Sequence, residues 1–581
     1  MKIKLSLLFI LISVTAWAQN NSYPTHSQKM NMLLRSINDL YLDTVNFDPL
    51  VEKGVIEMLK ELDPHSAYIS KKDVQQANEP LIGSFDGIGV TFALVKDTIN
   101  ITEVIVNGPS EKVGIRAGDK IVKVDTAIAC GKHINNKWVF DHLRGPKGTK
   151  VNLFIKRGKE SELLEFNITR DKIPMNSINV FFMADKTTGY IRLERFAQTS
   201  TQELREALTR LTARGMKNLI FDLRGNGGGY LQAAFEIANE FLSNDKMIVY
   251  TDNFRNTGEK FKSTNHGDFQ KGRLIILVDE NSASASEIVS GATQDWDRAL
   301  IMGRRTFGKG LVQKPINLPD GSQVRLTISK YYTPSGRCIQ RPYDDGLDSY
   351  LDDLNVRSKH GELLTADSIK FPDSLKYQTA KGRVVYGGGG IMPDIFIPMD
   401  TTRYSSLWGE MYRKGIFSAF VLEEMEQNRA QWKVKYETVE DFKNNFEVSD
   451  LLFQELMAYA HKEGVKDSVP FQFSKRAEQF LKEKATELDS LYYSFDDLNS
   501  STQFQEMFMQ YMTDSYNESM RLRNLNKANE LIKDWLKYEI AKILYSFGDA
   551  YQIYLMKDDG FLKALEVISN DKIFKKFNVE Y

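Results

Sequence analysis

The feature that most constrains this chain is a regular alternation of short apolar strands and amphipathic helices between about residues 175 and 302. Tyr190–Arg195 reads as a strand, Thr201–Ala213 as a helix, Leu219–Leu223 as a strand and Leu231–Leu242 as a helix. Leu274–Val278, Ser286–Gln294 and Ala299–Met302 repeat the order, and Val324–Tyr332 alternates as a further strand. Alternation of this kind predicts stacked βαβ units around a parallel sheet. In such sheets ligands gather in the crevice outside the carboxyl ends of the strands, so the loops leaving those ends carry the chemistry.

The flanking segments differ in character. Residues 25–78 repeat apolar positions at helical spacing (Leu33, Leu34, Ile37, Leu40; Val51, Val55, Leu59, Leu62) until Asp63-Pro64-His65 interrupts them. Residues 83–171 read as short strands punctuated by glycine, Ile88–Leu94 and Ile99–Val106 among them. Residues 344–380 are polar and pattern-poor, an inserted loop. After Pro398 helical spacing returns, and Leu531, Ile532, Trp535, Leu536, Ile540, Ile543 and Leu544 form one amphipathic face.

Residues 1–18 have the form of a cleaved export leader. Lys2 and Lys4 precede an apolar run from Leu5 to Val14, and Ala16-Trp17-Ala18 ends in the small-x-small pattern. The run falls short of the ~20 residues a membrane span needs, so the mature chain is expected to be soluble, without a span, and exported, periplasmic or secreted. Cys130 and Cys338 are too few for a disulfide framework and are expected as free thiols. Lys plus Arg total 76 against 77 Asp plus Glu, which leaves no electrostatic footprint for nucleic acid.

Three strand-end segments carry the candidate chemistry. Asp222–Gly229 runs Asp-Leu-Arg-Gly-Asn-Gly-Gly-Gly, where glycines let backbone amides approach a ligand or simply turn the chain. Asn281–Glu287 packs Ser282, Ser284 and Ser286 among small residues at a helix start, which suits either an exposed nucleophile or an ordinary N-cap. Composition does not choose among the three serines. Thr306–Gln313 contains Gly308-Lys309-Gly310. Gly303 to Lys309 nearly spells a phosphate-binding P-loop, but Gly310 stands where the Mg²⁺-binding hydroxyl belongs and no strand flows into a helix there, so nucleotide binding is excluded.

A nucleophilic serine needs a base. Histidines 26, 65, 133, 142, 266, 360 and 461 sit in no strand-end or glycine motif, which argues against a Ser-His-Asp hydrolase, and they form no paired motif for metal. Lysine is the alternative. Its amine ordinarily titrates near ~10.4, and desolvation lowers that value. Lys309 lies between glycines in an otherwise apolar stretch, and Gln313 offers a neutral amide that can orient an amine without re-protonating it.

These segments, with Tyr332–Gln340, Leu62–Ser66 and Gly387–Asp394, resemble in order the motifs of the C-terminal processing, or tail-specific, peptidases, over residues 35 to 398. The resemblance implies a multidomain α/β fold with a βαβ protease core (ClpP/crotonase-like) over 175–398 and a PDZ domain over 83–171; the residue pattern adds an N-terminal helical region over 25–78 and a C-terminal helical extension over 401–581, which departs from the family's core. It assigns the nucleophile to Ser284, the base to Lys309 and the lysine-orienting role to Gln313. Oxyanion donors would be the amides of Ala285 and of Gly227 or Gly228, and the reaction would be acyl transfer without a cofactor. Gly87-Ile88-Gly89-Val90 resembles the carboxylate-binding loop of PDZ modules, which take up a C-terminal tail as an added strand. Arg144 in Leu143-Arg144-Gly145-Pro146 is read as a surface hairpin charge in preference to a contact with the catalytic region. Expected partners are protein C-termini, with an adaptor or a second copy of the chain as further candidates. A catalytically idle PDZ scaffold is the rival reading, and the intact Ser284, Lys309 and Gln313 set disfavours it. The extension has no role assigned by the resemblance.

Overall fold

A computed structural model describes residues 23–581 except 159, 161, 256 and 402–404 and, between 467 and 527, all but 479–480, 483–484, 508–512 and 515. The expected leader, residues 1–18, lies outside the described residues. The chain divides into two compact units, one made of the residues up to Val74 with Gln313–Thr327, the other of Gln75–Val312 with Ile328–Tyr581.

The first unit opens with helices α1 (Tyr23–Leu40) and α2 (Phe47–Lys60), the latter capped by Asn46, whose side chain accepts from the Asp48 amide. The break expected at Asp63-Pro64-His65 is a tight turn. Asp63 accepts from the amides of His65 (2.8 Å) and Ser66 (2.9 Å) and from the hydroxyls of Ser66 (2.6 Å) and Thr327 (2.9 Å). These bonds hold its carboxyl below the usual range although burial opposes them. The turn leads into β1 (Ala67–Ile69), antiparallel to Gln323–Arg325.

The second unit begins with the strand module. Strands β2 (Val90–Val95), β3 (Thr98–Val104), β4 (Lys120–Val124), β5 (Lys150–Lys156) and β6 (Leu164–Thr169) form an antiparallel sheet in that order. Alternate residues face inward, so Ile99, Ile101, Ile121, Leu153, Ile155 and Ile168 are fully buried. The expected strand from Ile88 begins instead at Val90, because Gly89 turns the chain with φ +76°. Among the described residues β2 pairs only with β3, leaving its outer edge open. Helix α3 (Asn136–Leu143) lies beside β2, with Phe140 meeting Phe92 edge-on at 5.9 Å.

The second sheet is the predicted βαβ core. Strands β7 (Val180–Met183), β8 (Thr188–Arg192), β9 (Asn218–Asp222), β10 (Leu274–Val278), β11 (Leu300–Gly303) and β12 (Ile395–Phe396) lie in chain order, with β7 antiparallel to β8 and the rest parallel. Every residue of β10 and β11 is buried, as parallel strands covered on both faces require. One face packs on α4 (Ser200–Ala213), α5 (Leu231–Phe241) and α6 (Ala285–Asp295).

Two further findings depart from the sequence reading. Residues 344–380 are not merely a loop but contain helix α7 (Leu347–Lys359), whose only buried side chains are Tyr350 and Arg357. An element anchored by one aromatic ring and one guanidinium shows no apolar stripe. The described residues of the 401–581 extension are shared between two cores. Ile532, Leu536, Ile540 and Leu544 fill a helical core with α8 (Ile416–Lys435), but α9 (Asp559–Ser569) and α10 (Asp571–Lys576) cover the other face of the parallel sheet. Phe561 meets Tyr190 at 5.3 Å there. The chain's end thus supplies the second helical layer of the core. Cys130 and Cys338 are both free thiols.

Candidate active site

Because β9, β10 and β11 are parallel neighbours, their carboxyl ends lie at one edge of the sheet, and the three candidate loops leave from there. Cross-loop backbone bonds join them: Leu223 N–H to Leu277 O (2.9 Å), Ala283 N–H to Asn226 O (3.0 Å), Arg304 N–H to Val278 O (3.2 Å) and Phe307 N–H to Ser282 O (3.0 Å). The three segments separated in sequence therefore form one hydrogen-bonded platform.

The middle loop distinguishes the serines. Ser282 is fully buried and its hydroxyl, which donates to Leu223 O (2.9 Å), accepts the Asp279 amide (2.9 Å). Ser286 is equally buried and donates to Asn226 O (2.8 Å). Only Ser284 of the three is partly exposed. It sits where β10 turns into α6 with φ +55° and ψ −111°, a conformation that costs an L-residue ~1–3 kcal/mol. Strain at a sharp strand-to-helix turn is how nucleophile elbows expose a side chain above a sheet. Ser284 is also the helix N-cap, with Glu287 reaching back to its amide (2.8 Å) as in a capping box, so the cap and nucleophile readings fall on one residue.

The glycine loop packs directly on this turn. A Cβ on Gly228 would lie 2.8 Å from Ser284 Cβ and 3.0 Å from the Ala285 nitrogen, and Gly228 has φ +101°, so only glycine fits. The Gly228 amide donates within its own loop to Asn226 Oδ1 (2.9 Å). The amides of Gly227 and Ala285 have no intramolecular partner among the described residues. Ala285 opens α6, whose dipole adds positive potential at its N-terminus. The loop's start is fixed by Arg224, which bonds the buried Asp222 (2.7 Å) and Asp558 (2.8 Å).

The third loop explains the P-loop likeness. Its amides cradle an anion, but the anion is a side chain of the protein. Glu287 Oε1 accepts from Thr306 Oγ1 (2.5 Å) and Gly308 N–H (2.7 Å), and Oε2 from Lys309 N–H (2.9 Å) and Ser284 N–H (2.8 Å). Glu287 is completely buried. Burial pushes its carboxyl up to about 7, against the downward pull of the Thr306 hydroxyl and the Lys309, Gly308 and Ser284 amides. Gly308 is required by its φ of +89°, and Gly310 because a Cβ there would lie 2.8 Å from the Gln340 nitrogen. Helix α7 props the loop from outside: Arg357 donates to Arg305 O (2.7 Å) and Thr306 O (3.2 Å) and pairs with Glu362 (2.7 Å), which also holds Arg305 (2.6 Å).

Among the other expected residues, Gln313 belongs to the first unit, where its side-chain amide donates to the His65 carbonyl. Gly87–Val90 leads into the open edge of β2, and Ile88 O accepts from the Ser110 amide (3.0 Å) and hydroxyl (2.7 Å). Arg144 is not a solvent-facing hairpin charge. It pairs with Glu79 (2.5 Å) and stacks over Phe85 and Phe140 at 4.5 and 4.6 Å. Sequence reasoning did not single out Glu287. The Ser-x-x-Glu capping signature was legible, but its bonds to the lysine loop are tertiary.

The family model for peptidase family S41 matches residues 187–347, that for the PDZ domain matches 87–168, and a family of unknown function matches 407–482. A carboxy-terminal-processing protease of Bartonella bacilliformis is 31% identical over 339 residues, covering 58% of this chain and 77% of the relative. A probable CtpA-like serine protease of Staphylococcus epidermidis is 32% identical over 333 residues, covering 57% of this chain. The match spans 66% of that staphylococcal relative, just under two thirds of its length. Among solved structures, a photosystem II D1 C-terminal processing protease aligns with 25% identity and a TM-score of 0.34, covering 64% of this chain and 87% of the other.

Proposed function

The chain belongs to peptidase family S41, with the carboxy-terminal-processing proteases, and from that premise we propose that it is an exported serine endopeptidase that cuts protein tails through Ser284 and Lys309. The observation that carries this reading is the platform of three loops, on which Ser284 and Lys309 hang their amides from a single carboxylate oxygen, at 2.8 and 2.9 Å. In the proposed reaction the neutral Lys309 amine takes the Ser284 proton as Oγ attacks the peptide carbonyl. The tetrahedral oxyanion is met by the free amides of Ala285 and Gly227, with Gly228 required for close approach of its loop. One such donor is typically worth ~10²–10³ in rate. Collapse expels the amine, protonated by Lys309, and water hydrolyses the acyl-enzyme by the reverse proton route. Gln313 takes the lysine-orienting role by its resemblance to the family's motif, where its neutral amide lies four residues past the base.

The strand module supplies recognition. A C-terminal tail would add to the free edge of β2 with its carboxylate at Gly87–Val90, and Phe92 and Phe140 lie between β2 and α3, where the tail's side chains would pack. The core's βαβ repeat suits the ClpP/crotonase-like class, and residues 1–18 suit export to the periplasm or beyond.

The test is cleavage of a loosely folded protein by the full chain and by Ser284→Ala and Lys309→Ala, followed by mass spectrometry. The expected outcome is progressive cutting by the parent and a loss of at least about 10³-fold in each variant. A parent that binds tails without cutting them would instead be a scaffold.

A further inference from the structure

We propose that Glu287 and Tyr331 are positioning residues that form a two-sided backbone clamp, fixing the register of the nucleophile Ser284 against the base Lys309. The proposal rests on the dyad reading above and deepens it.

On the amide side, Glu287 Oε2 accepts from both reacting residues, Ser284 at 2.8 Å and Lys309 at 2.9 Å, while Oε1 holds the same loop through Gly308 and Thr306. On the carbonyl side, the Tyr331 hydroxyl lies 2.6 Å from Lys309 O and 3.1 Å from Ser284 O, sharing its one proton between them. Each reacting residue is thus tied at its nitrogen to one atom of Glu287 and at its oxygen to one atom of Tyr331. Both clamp side chains are buried, Glu287 completely and Tyr331 to 1% exposure. Tyr331 stands on the strand Gln323–Tyr332, and its own amide donates to Gly310 O (2.9 Å), anchoring the clamp to the far end of the lysine loop. In the dyad reading the two reacting side chains inherit the register set here. A misplacement of ~1 Å in such a pair costs ~10²-fold in rate.

The chemistry of the donors specifies the charge of Glu287. Three amides and one hydroxyl point at its two oxygens, so the ionised form satisfies all of them, and Thr306 Oγ1 already accepts the Ile391 amide (2.6 Å). A protonated carboxyl would have to aim its own O–H at a donor and release one bond. The ionisable groups facing it are Tyr331 on the strand and Tyr350 on α7, with Arg341 stacked on the Tyr350 ring at 3.9 Å. Burial, and then the charge of Glu287, keep the Tyr331 hydroxyl protonated well above its ordinary range, so it stays a donor while Glu287 titrates.

The test compares the full chain with Glu287→Gln, Glu287→Asp and Tyr331→Phe, reading peptide kcat and KM, labelling by a fluorophosphonate probe, and the pH profile. Glutamine is isosteric but turns an NH₂ toward at least one amide donor. The expected result is a fall in kcat of about 10²-fold with KM within about threefold, about tenfold for Tyr331→Phe, and partial recovery in Glu287→Asp. The parent's acid limb should also contain an ionisation near neutrality that Glu287→Gln lacks, which a merely structural role would not remove. Wild-type kcat in both Glu287→Gln and Tyr331→Phe, or identical pH profiles, overturns the clamp alone. Should Glu287→Gln fail to fold, Tyr331→Phe, which keeps the ring and removes only the hydroxyl, decides. A parent unlabelled at Ser284 overturns the dyad and the clamp together.

Discussion

Glu287 shows why one residue can be conspicuous in the fold and silent in the sequence. Its place three residues after a serine announces a helix start, and nothing local announces the bonds to Thr306, Gly308 and Lys309. The same limit applies to Ser284. Three serines in similar surroundings become distinguishable only when Leu223 O and Asn226 O occupy the hydroxyls of Ser282 and Ser286. The function of Glu287 also costs stability in a definite direction. Its ordinary value of 4.5 is raised to about 7 in the fold, so between those pH values the folded chain holds a proton that the unfolded chain releases. The contribution of this group to stability is complete at lower pH and declines as pH climbs through the window, by up to about 3 kcal/mol. Denaturant titrations of the parent and Glu287→Gln at pH 5 and 7.5 should show the parent losing ground relative to the variant as pH rises. A constant difference would remove Glu287 as the titrating group.

At the scale of elements, the strands and helices of the core were legible because burial on both faces writes continuous apolar runs, as in Leu274–Val278. Helix α7 was not, since its hold on the molecule is through Arg357 and Tyr350 rather than a stripe. Its importance is out of proportion to its pattern. Arg357 is 3% exposed and its fork bonds two carbonyls of the lysine loop and Glu362. Arg357→Lys keeps the charge but not the planar fork. The expected outcome is faster amide hydrogen exchange across residues 304–310 and a fall in kcat of about tenfold, with the strand module's exchange unaltered; protection equal to the parent's would show that α7 is a passive insertion. The contact of α8 with the strand module differs in kind. Lys96 meets Glu423 at 2.7 Å with both side chains about half exposed, the sort of pair worth ~0–1 kcal/mol, so it guides more than it fixes.

For the molecule as a whole, the order of chemistry-bearing loops was readable, and so was the strand module ahead of the core, because turn glycines and alternation are local signals. What was not readable is that the chain's last helices return to cover the sheet that begins near residue 180, with Phe561 against Tyr190 and Phe574 buried beside it. An amphipathic helix declares that it has a buried face, not which sheet receives it. The catalytic core is therefore assembled from segments nearly four hundred residues apart, and its strand ends present three loops at one edge. The central claim is that this edge activates Ser284 through Lys309. The most direct measurement is site-resolved mass spectrometry of the full chain after reaction with a fluorophosphonate, in the parent and in Lys309→Ala. The expected result is a single adduct on Ser284, forming faster as pH rises from 6 to 8 and at least about a hundredfold slower in the variant. An adduct on Ser282 or Ser286, or labelling of Ser284 at the parent's rate without Lys309, would contradict it.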